Sequence, residues 1–316
     1  MGEHGAVLGI RRALRIGTRT SALAMAQARG VAARLEEAAG VRVDVVGITT
    51  AGDRHRGALS ELGGKGAFMR EIDRALLAGR VDLAVHCLKD VPGDVPRPAG
   101  LAFAAYLERD DTADVMVFPR ASQVRSLAGL APGARVGTSA VRRRAQLGRL
   151  RPDLRVENLR GNVDSRLGRL DAGELDALVL ARAGLRRLGI ERAGEVLDIV
   201  PAVGAGVLAV DCRRDDLDVR KLVRGLDDED TRQCVSAERA MLQGLQGHCN
   251  SPIAGHARLE RDGRLSLRGM VFACDGAKSV YAHEWSGPDE GESLGARVAR
   301  DLLRKGARDL IDGMPL

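Results

Sequence analysis

The pattern of apolar and polar positions in the first forty residues predicts a strand, a loop and a helix. The segment LRIGTRTSALAMAQARGVAARLEEAAG indicates a strand that runs to Ile16, followed by a Gly-Thr-Arg-Thr loop. We expect an N-cap at Thr20 or Ser21 and an amphipathic helix that ends at Gly40. Such a unit directs free backbone N–H groups at its loop.

The same design recurs in the middle of the chain. ARVGTSAVRRRAQLGRL predicts a strand over residues 135–137, a turn at Thr138 and Ser139, and a helix with three arginines in its first turn. A second pair of segments, 76–90 and 170–184, shares the pattern A-G-x-Φ-D-Φ-Φ-V, where Φ is apolar. Both predict a helix end, a glycine cap and a buried parallel strand. The repeats therefore indicate two α/β lobes of similar construction.

Parallel sheets bind ligands beyond the carboxyl ends of their strands. Four predicted loops follow such ends, and we expect them to face one cleft; they come after Ile16, Val85, Val136 and Leu180.

The pattern changes after DIVPAVGAGVLAVDCR. A helix is predicted in DEDTRQCVSAERAMLQGLQ, then alternating strands joined by Asp-Gly turns, then a closing helix over about residues 290–312. The sequence thus predicts a third, smaller α+β domain of about 90 residues.

The composition of the 316-residue chain, 45% hydrophobic and 29% charged, is ordinary for a globular protein. No apolar run approaches the roughly 20 residues of a membrane span, and no signal-peptide core is present, so we expect a cytoplasmic protein without a membrane contact. The five cysteines form no C-x-x-C pair and are odd in number. We expect free thiols rather than disulfides or a zinc ribbon.

The net charge of +6 does not by itself indicate a nucleic-acid partner. The 43 acidic residues are interspersed among 49 basic ones, and aromatic residues make up only 2% of the chain. Stacking platforms for bases are therefore scarce. We expect no nucleic acid among the partners.

Lys89 and Asp90, in HCLKDVP, come directly after a predicted buried strand. A carboxylate at the end of such a strand can hold a proton or stabilise a cation in a transition state, which favours Asp90 as the catalytic group. The alternative is a solvated turn pair before Pro92, worth about 0 to 1 kcal/mol.

Several arginines lie at predicted helix starts or strand ends. Guanidinium groups and helix N-termini together bind carboxylates or phosphates, so these arginines predict a ligand with many negative groups. The alternative is a solvated surface in an arginine-rich protein. The arginines are Arg19, Arg142, Arg143, Arg144, Arg160, Arg166 and Arg187.

LGGKGAFMREI lacks the spacing of a nucleotide phosphate loop. Glycine hinges around Lys65 and Phe68 are equally consistent with a mobile loop that closes over the cleft and with a plain loop before a helix at Phe68–Leu77.

Cys249, in LQGHCNSPIAGH, has four possible roles. A metal site needs more ligands than His248 and His256 supply, and a nucleophile needs a base and an oxyanion hole. A buried inert thiol is the commonest fate of a free cysteine. The residues alone leave covalent attachment of a group as an open alternative, and they indicate no metal.

Eight segments in order resemble the porphobilinogen deaminases, also called hydroxymethylbilane synthases. They are RIGTRTSALAMAQA, GGKGAF, DLAVHCLKDVP, VGTSAVRRRAQL, NLRGNVDSRL, LARAGLRRLG, PAVGAG and GHCNSPI, and the resemblance runs from about Leu14 to the C-terminus. It implies a monomeric transferase of tetrapyrrole (heme) biosynthesis, which condenses four porphobilinogen molecules with loss of ammonia and releases hydroxymethylbilane by hydrolysis. It also implies two doubly wound, periplasmic-binding-protein-like α/β lobes around a cleft and a C-terminal α+β domain with a three-stranded antiparallel sheet.

The resemblance implies a role for each matching residue. Cys249 matches the cysteine that carries a dipyrromethane cofactor through a thioether, and Asp90 matches the catalytic aspartate beside the pyrrole N–H groups, where it stabilises the cationic azafulvene. The expected cofactor-side residues are Lys89, Asp90, Ser139, Arg142 and Arg143, and the expected substrate-side residues are Arg19, Ser21, Lys65, Phe68, Arg160, Arg166 and Arg187. The implied domains are 1–107 with 207–226, 108–206, and 227–316.

The chain departs from the family pattern at three places. Ala205 stands where glutamine is usual, Cys87 where a serine or another small residue is common, and TTAGD is a variant of a motif that often has a basic residue before Gly-Asp. Two alternatives therefore remain: a paralogue with weakened activity, and a cytoplasmic two-lobed protein that binds small anions without chemistry.

Overall fold

The computed structural model describes residues 13–54, 66, 68–248 and 250–313. Within them the chain forms two compact units. The first contains the described residues up to Cys87, with Pro96–Glu108 and Leu208–Asp228. The second contains Leu88–Val95, Arg109–Val207 and the described residues from Glu229 onward.

The first unit is built on a five-stranded sheet of order β2-β1-β3-β10-β4. The strands β1 to β3 are parallel, and β10 is antiparallel to both of its neighbours. The strands are β1 (Leu14–Arg19), β2 (Val43–Ile48), β3 (Leu83–Cys87), β4 (Leu101–Tyr106) and β10 (Leu208–Arg213). The helices are α1 (Ala22–Ala39), α2 (Ala51–Arg54), α3 (Arg70–Leu77) and α7 (Leu217–Val223).

The predicted ends of α1 are confirmed. The Ser21 hydroxyl accepts a hydrogen bond from the backbone N–H of Ala24, which satisfies one of the free donors at the helix start. Gly40 ends the helix in the left-handed region, at φ 64°. The apolar face of α1, with Val31 and Leu35 fully buried, packs on the sheet and forms much of the core of this unit.

The second unit contains a five-stranded sheet of order β7-β6-β8-β5-β9. β6 is parallel to β7 and β8, whereas β5 is antiparallel to β8 and β9. The strands are β5 (Asp114–Val117), β6 (Arg135–Thr138), β7 (Arg155–Asn158), β8 (Ala177–Ala181) and β9 (Gly194–Val196). The helices beside them are α4 (Val141–Leu150), α5 (Val163–Asp171) and α6 (Arg182–Arg187).

The repeated A-G-x-Φ-D-Φ-Φ-V pattern has the predicted structure in both places. Gly79 follows α3 at φ 64° and Gly173 follows α5 at φ 77°, so a positive φ ends each helix. β3 then runs parallel to β1, and β8 runs parallel to β6, whereas the second neighbour of each is antiparallel. Each of the two strands has four consecutive buried residues. The predicted helix from Phe68 begins two residues later, at Arg70.

The C-terminal part of the second unit packs helices on a three-stranded antiparallel sheet of order β11-β12-β13. The strand turns contain Asp262-Gly263 and Asp275-Gly276, as predicted, with both glycines at positive φ. The closing helix, predicted as one, is two, because Gly306 at φ 94° interrupts it. The elements are α8 (Glu229–Gly244), β11 (Ile253–Leu259), β12 (Leu265–Phe272), β13 (Ser279–Ser286), α9 (Gly291–Arg304) and α10 (Ala307–Asp312).

The predicted fold class is confirmed by these two mixed α/β sheets and the small antiparallel sheet. Over the part of the chain that the structure describes, no helix combines the length and hydropathy needed to cross a bilayer. The described cysteines are free thiols, namely Cys87, Cys212, Cys234 and Cys274.

Candidate active site

Asp90 lies on a short, anchored turn that follows β3. Residues Leu88–Asp90 form one turn of 3₁₀ helix, in which Leu88 is buried and Asp90 is exposed. The backbone N–H of Leu88 donates to the carbonyl of Val207 at 3.0 Å, and the N–H of Val91 donates to the carbonyl of Leu88, also at 3.0 Å. Both distances are normal for backbone hydrogen bonds. The buried leucine and these bonds hold the turn while the Asp90 carboxylate faces solvent.

The loop at Gly204 packs directly against this turn. Gly204 has φ 73°, and a Cβ there would lie only 3.0 Å from the backbone nitrogen of Lys89, so the close approach requires glycine. The N–H of Gly204 donates to the buried carboxylate of Glu238 on α8 at 2.7 Å. From the next residue of α8, Arg239 donates to the carbonyl of Pro92 at 2.9 Å. Helix α8 therefore fixes the segment that carries Asp90.

Arg166, in the first turn of α5, is a cation whose pKa is strongly affected by its surroundings. Burial lowers its pKa to about 10, with further lowering by Arg143 and Arg160, while Asp90 raises it. These interactions bring together three of the predicted arginines and the predicted catalytic carboxylate within the second unit. The Nε of Arg166 donates to the carbonyl of Gly161 at 2.7 Å, which orients the guanidinium.

Arg142 and Arg143 share one buried carboxylate, that of Asp114 at the start of β5. Each guanidinium donates to a different oxygen of Asp114 at 2.6 Å, and both arginines are 6% exposed. Burial alone would raise the pKa of Asp114, but the two arginines hold it well below its usual range. Burial lowers the pKa of Arg142, against the attraction of Asp114. Asp114 has no signal in the sequence, because its two partners lie 28 and 29 residues away.

Arg187 and Ser139 are two further predicted site residues in the second unit. Arg187 pairs with Asp110 at 3.3 Å and donates to the carbonyl of Gly206 at 2.6 Å. Ser139 is half-buried between β6 and α4. Ala205, between two glycines at positive φ, is 7% exposed.

Arg19 has its own cluster in the first unit. Its Nε donates to Asp53 at 3.0 Å, and its guanidinium lies 4.1 Å from the centre of the Phe68 ring. Burial would raise the pKa of Asp53, but hydrogen bonds from Arg19 and Thr50 keep it below its ordinary value. Asp53 belongs to the variant TTAGD motif, and this motif is the feature of the sequence that could have identified Asp53 as a site residue. Ser21, two residues after Arg19, caps α1.

Cys249 and Lys65 lie outside the described residues, so the predictions for them stay predictions. Across residues 13–54, 66, 68–248 and 250–313, no group of three or more His, Cys, Asp and Glu side chains could hold a metal ion.

The cations of the second unit are suited to an anionic ligand. Asp114 is a single carboxylate shared by two guanidinium groups, and burial, assisted by cationic neighbours, lowers the pKa of Arg166. The buried Nε atoms of Arg143 and Arg144 have no hydrogen-bond partner among the described residues. Unpaired buried donors and excess positive charge favour binding of carboxylates.

Comparison with known proteins agrees with this arrangement. Residues 14–221 match the family model described as "Porphobilinogen deaminase, dipyromethane cofactor binding domain", and residues 232–304 match "Porphobilinogen deaminase, C-terminal domain". "Porphobilinogen deaminase 2" of Streptomyces coelicolor is 50% identical over 306 residues, which are 95% of this chain and 97% of that protein. The porphobilinogen deaminase of Syntrophobacter fumaroxidans is 43% identical, again over 95% of this chain and 97% of the relative.

Among solved structures, a periplasmic substrate-binding protein from Coxiella burnetii aligns with 67% of this chain and 91% of its own, at 14% identity and a TM-score of 0.42. The family models together span most of the sequence, and the relatives are covered almost completely. The chain belongs to the porphobilinogen deaminase family.

Proposed function

We propose that the chain is a hydroxymethylbilane synthase in which Asp90 is the catalytic carboxylate. As a member of its family it is a transferase that joins four porphobilinogen molecules, with loss of ammonia, and releases hydroxymethylbilane by hydrolysis. The observation that supports the residue assignment is the electrostatic interaction of an exposed carboxylate on a fixed turn with a cluster of buried and half-buried arginines.

Asp90 has the position that acid–base and electrostatic catalysis require. Its turn is held by Leu88 and Gly204, so little reorganisation is needed when charge develops nearby. Loss of ammonia from porphobilinogen leaves a cationic pyrrole, which a fixed carboxylate stabilises. The same carboxylate can accept and return the proton that moves when a new carbon–carbon bond forms.

The arginines bind the acidic arms of the substrate. Porphobilinogen carries an acetate and a propionate, so each added unit brings two negative charges. Arg160 and Arg166 are assigned to these carboxylates, because both act electrostatically within the Asp90 cluster. Asp114 positions Arg142 and Arg143 by binding one side of each guanidinium.

The dipyrromethane cofactor of the family fits the same cluster. It carries four acidic arms, and the unpaired Nε atoms of Arg143 and Arg144 and the shared carboxylate of Asp114 leave positive charge for them. We assign Cys249 as its attachment point and Arg142 and Arg143 as its counter-ions. When bound, the cofactor supplies the pyrrole carbon to which the first substrate unit is joined.

The other assignments rest on their places in the fold and on their match to the family motifs. Arg19 is held by Asp53 and stacked on Phe68, so its remaining donors can bind a carboxylate. The further substrate- and cofactor-side residues are Lys89, Ser139, Ser21, Lys65 and Arg187.

We further propose that the protein is monomeric and cytoplasmic. Its three proposed domains are residues 1–107 with 207–226, residues 108–206, and residues 227–316. The exposed edge of β13 supports the monomer. Lys305 donates to the carbonyl of Tyr281 at 2.8 Å, and Arg297 to that of Trp285 at 3.0 Å. Side chains that occupy edge carbonyls protect a strand from pairing with another copy.

The test combines intact-protein mass with activity. Wild type and the variants Asp90→Asn, Cys249→Ser and Asp164→Asn are compared, the last removing an exposed carboxylate of the same unit. We expect an added mass of two linked pyrrole units on wild type and Asp164→Asn, none on Cys249→Ser, and a rate at least 100-fold lower in Asp90→Asn.

Two results would overturn the proposal. A bare polypeptide mass after incubation with porphobilinogen would indicate an anion-binding protein. Full activity of Asp90→Asn would exclude this carboxylate as the catalytic group. A wild type that carries the added mass but turns over slowly would identify a weakened paralogue.

A further inference from the structure

A pocket of about 680 Å³ lies in the second unit at the far end of α4. Three parts of the chain line it: the end of α4 with Arg149, the turn before β13 and the start of that strand with Lys278 and Val280, and the turn between α9 and α10 with Lys305. The volume is in the range of small-molecule sites. Arg142 and Arg149 are seven residues apart on α4, which is about 10 Å along the helix, so this pocket is separate from the proposed active site.

The cations of the pocket have hydrogen-bond donors available for a ligand. Arg149 donates to the hydroxyl of Ser279 at 2.6 Å and has no carboxylate partner among the described residues. Lys278 makes no ion pair with any residue in the described part of the chain. A guanidinium has five N–H donors and an ammonium three, so most of these donors remain for a ligand.

Lys305 is fixed in place rather than free. Its ammonium donates to Asp301 at 2.6 Å and to the carbonyl of Tyr281 at 2.8 Å, which leaves one donor. Among the described residues that line the pocket, Asp309 is the one carboxylate, against three cations. The lining is therefore positive overall.

The two anchored cations have a defined spacing. Arg149 is bound at Ser279 and Lys305 at Tyr281, two residues further along β13. Two residues of an antiparallel strand span about 7 Å. Two acid groups on separate arms of one small molecule can match this spacing.

An apolar wall completes the pocket. Val280 and Leu310 line it together with Ala277, so a ligand with a flat or aliphatic body can pack there while its acid groups meet the cations. The hairpin also approaches α4 closely, because Gly276 packs against the backbone at Ala145. A ligand in the pocket contacts both α4 and the C-terminal sheet.

We propose that this pocket is a binding site for a compact organic dicarboxylate, distinct from the site at Asp90. The ligand's two carboxylates bind Arg149 and Lys305, Lys278 adds the charge at the rim, and the body of the ligand packs on Val280 and Leu310. By joining α4 to the C-terminal sheet, the ligand stabilises the arrangement of the two against each other.

The test is calorimetric titration of the purified holoprotein with 1,3-phenylenediacetate. Phenylacetate, with one acid group, and inorganic pyrophosphate are titrated in parallel. We expect one diacid per chain, a Kd raised at least threefold by Lys278→Gln or Arg149→Gln, and a Kd raised at least tenfold by the double variant. Lys221→Gln, which removes an exposed lysine of the first unit, is the matched control and leaves the Kd unchanged.

Arg166→Gln separates this site from the proposed active site. Unchanged diacid binding to Arg166→Gln supports binding in the pocket at Arg149, and its loss would place the diacid in the Asp90 cluster and overturn the proposal. Absence of saturable binding, or equal affinity for phenylacetate or pyrophosphate, would also overturn it. Because binding is read without turnover, the result is independent of whether Asp90 is catalytic.

Discussion

The guanidinium of Arg109 donates to the buried carboxylate of Glu238 at 2.7 Å, across 129 residues of sequence. Glu238 is fully buried and also accepts hydrogen bonds from the N–H groups of Gly204, at 2.7 Å, and Ala257, at 2.8 Å. One carboxylate thus ties α8 to β11 and to the loop that packs on the Asp90 turn.

Removal of the Glu238 carboxylate is expected to destabilise the fold strongly. Glu238→Ala leaves the Arg109 cation and two backbone donors buried without a partner, so we expect the free energy of unfolding to fall by about 3–5 kcal/mol in urea titration. Glu284→Ala is the control, because Glu284 pairs with Arg297 at the surface and contributes about 0–1 kcal/mol. Equal losses in the two variants would contradict a special role for Glu238.

Gly206 is expected to tolerate no side chain. It has φ 78°, and a Cβ would overlap the carbonyl group of Asp110. Gly189 has φ 64° with open space around it. Gly189→Ala should therefore lower the free energy of unfolding only by the strain of a left-handed alanine, about 1–2 kcal/mol. Gly206→Ala should cost about 1–3 kcal/mol more, measured by urea unfolding, because the backbone must also move. A smaller loss at Gly206 than at Gly189 would refute this reasoning.

The buried His256 predicts a loss of stability in acid. Burial lowers its pKa to about 4, with Glu238 opposing and Arg109 assisting, while an unfolded histidine titrates near 6.5. Between these values the unfolded chain binds the additional proton, so the contribution is complete above pH 6.5 and is lost as the pH falls toward 4. The slope from this residue is at most about 1.4 kcal/mol per pH unit.

His256→Gln is therefore expected to flatten the dependence of the urea midpoint on pH between 6.5 and 4.5. His283→Gln is the matched control, since His283 is a histidine of the same sheet that is half-exposed on β13, where partial burial lowers its pKa. A wild-type slope that persists undiminished in His256→Gln would disprove the assignment.

Local rules predicted the elements of the fold well. Ser21 and Gly40 bound α1, and Gly79 and Gly173 end the helices before the two buried strands, because each of these positions needs a specific cap or a positive φ. The exception is Gly306, a glycine within an otherwise helical pattern. Such a glycine is tolerated in some helices and ends others, so sequence alone did not locate the break.

The partners of buried charges were beyond sequence reasoning. The arginines of the candidate site could be identified from their positions at helix starts, but Asp114 and Glu238 could not, because each pairs with residues distant in the chain. The fixing of the Asp90 turn by Gly204 has the same origin. Sequence patterns report the local backbone, whereas electrostatic partners depend on how the elements pack.

Arg166 is expected to contribute to binding at the expense of stability. Because burial and two cationic neighbours lower its pKa to about 10, folding must place this charge in an unfavourable environment, which residues selected for function often accept. Arg166→Gln should therefore raise the KM for porphobilinogen at least tenfold and leave the free energy of unfolding unchanged within about 1 kcal/mol, or higher. Arg169→Gln on the same helix, whose guanidinium pairs with Glu174 at the surface, should change neither quantity. A marked loss of stability in Arg166→Gln with an unchanged KM would show instead that Arg166 is a structural residue.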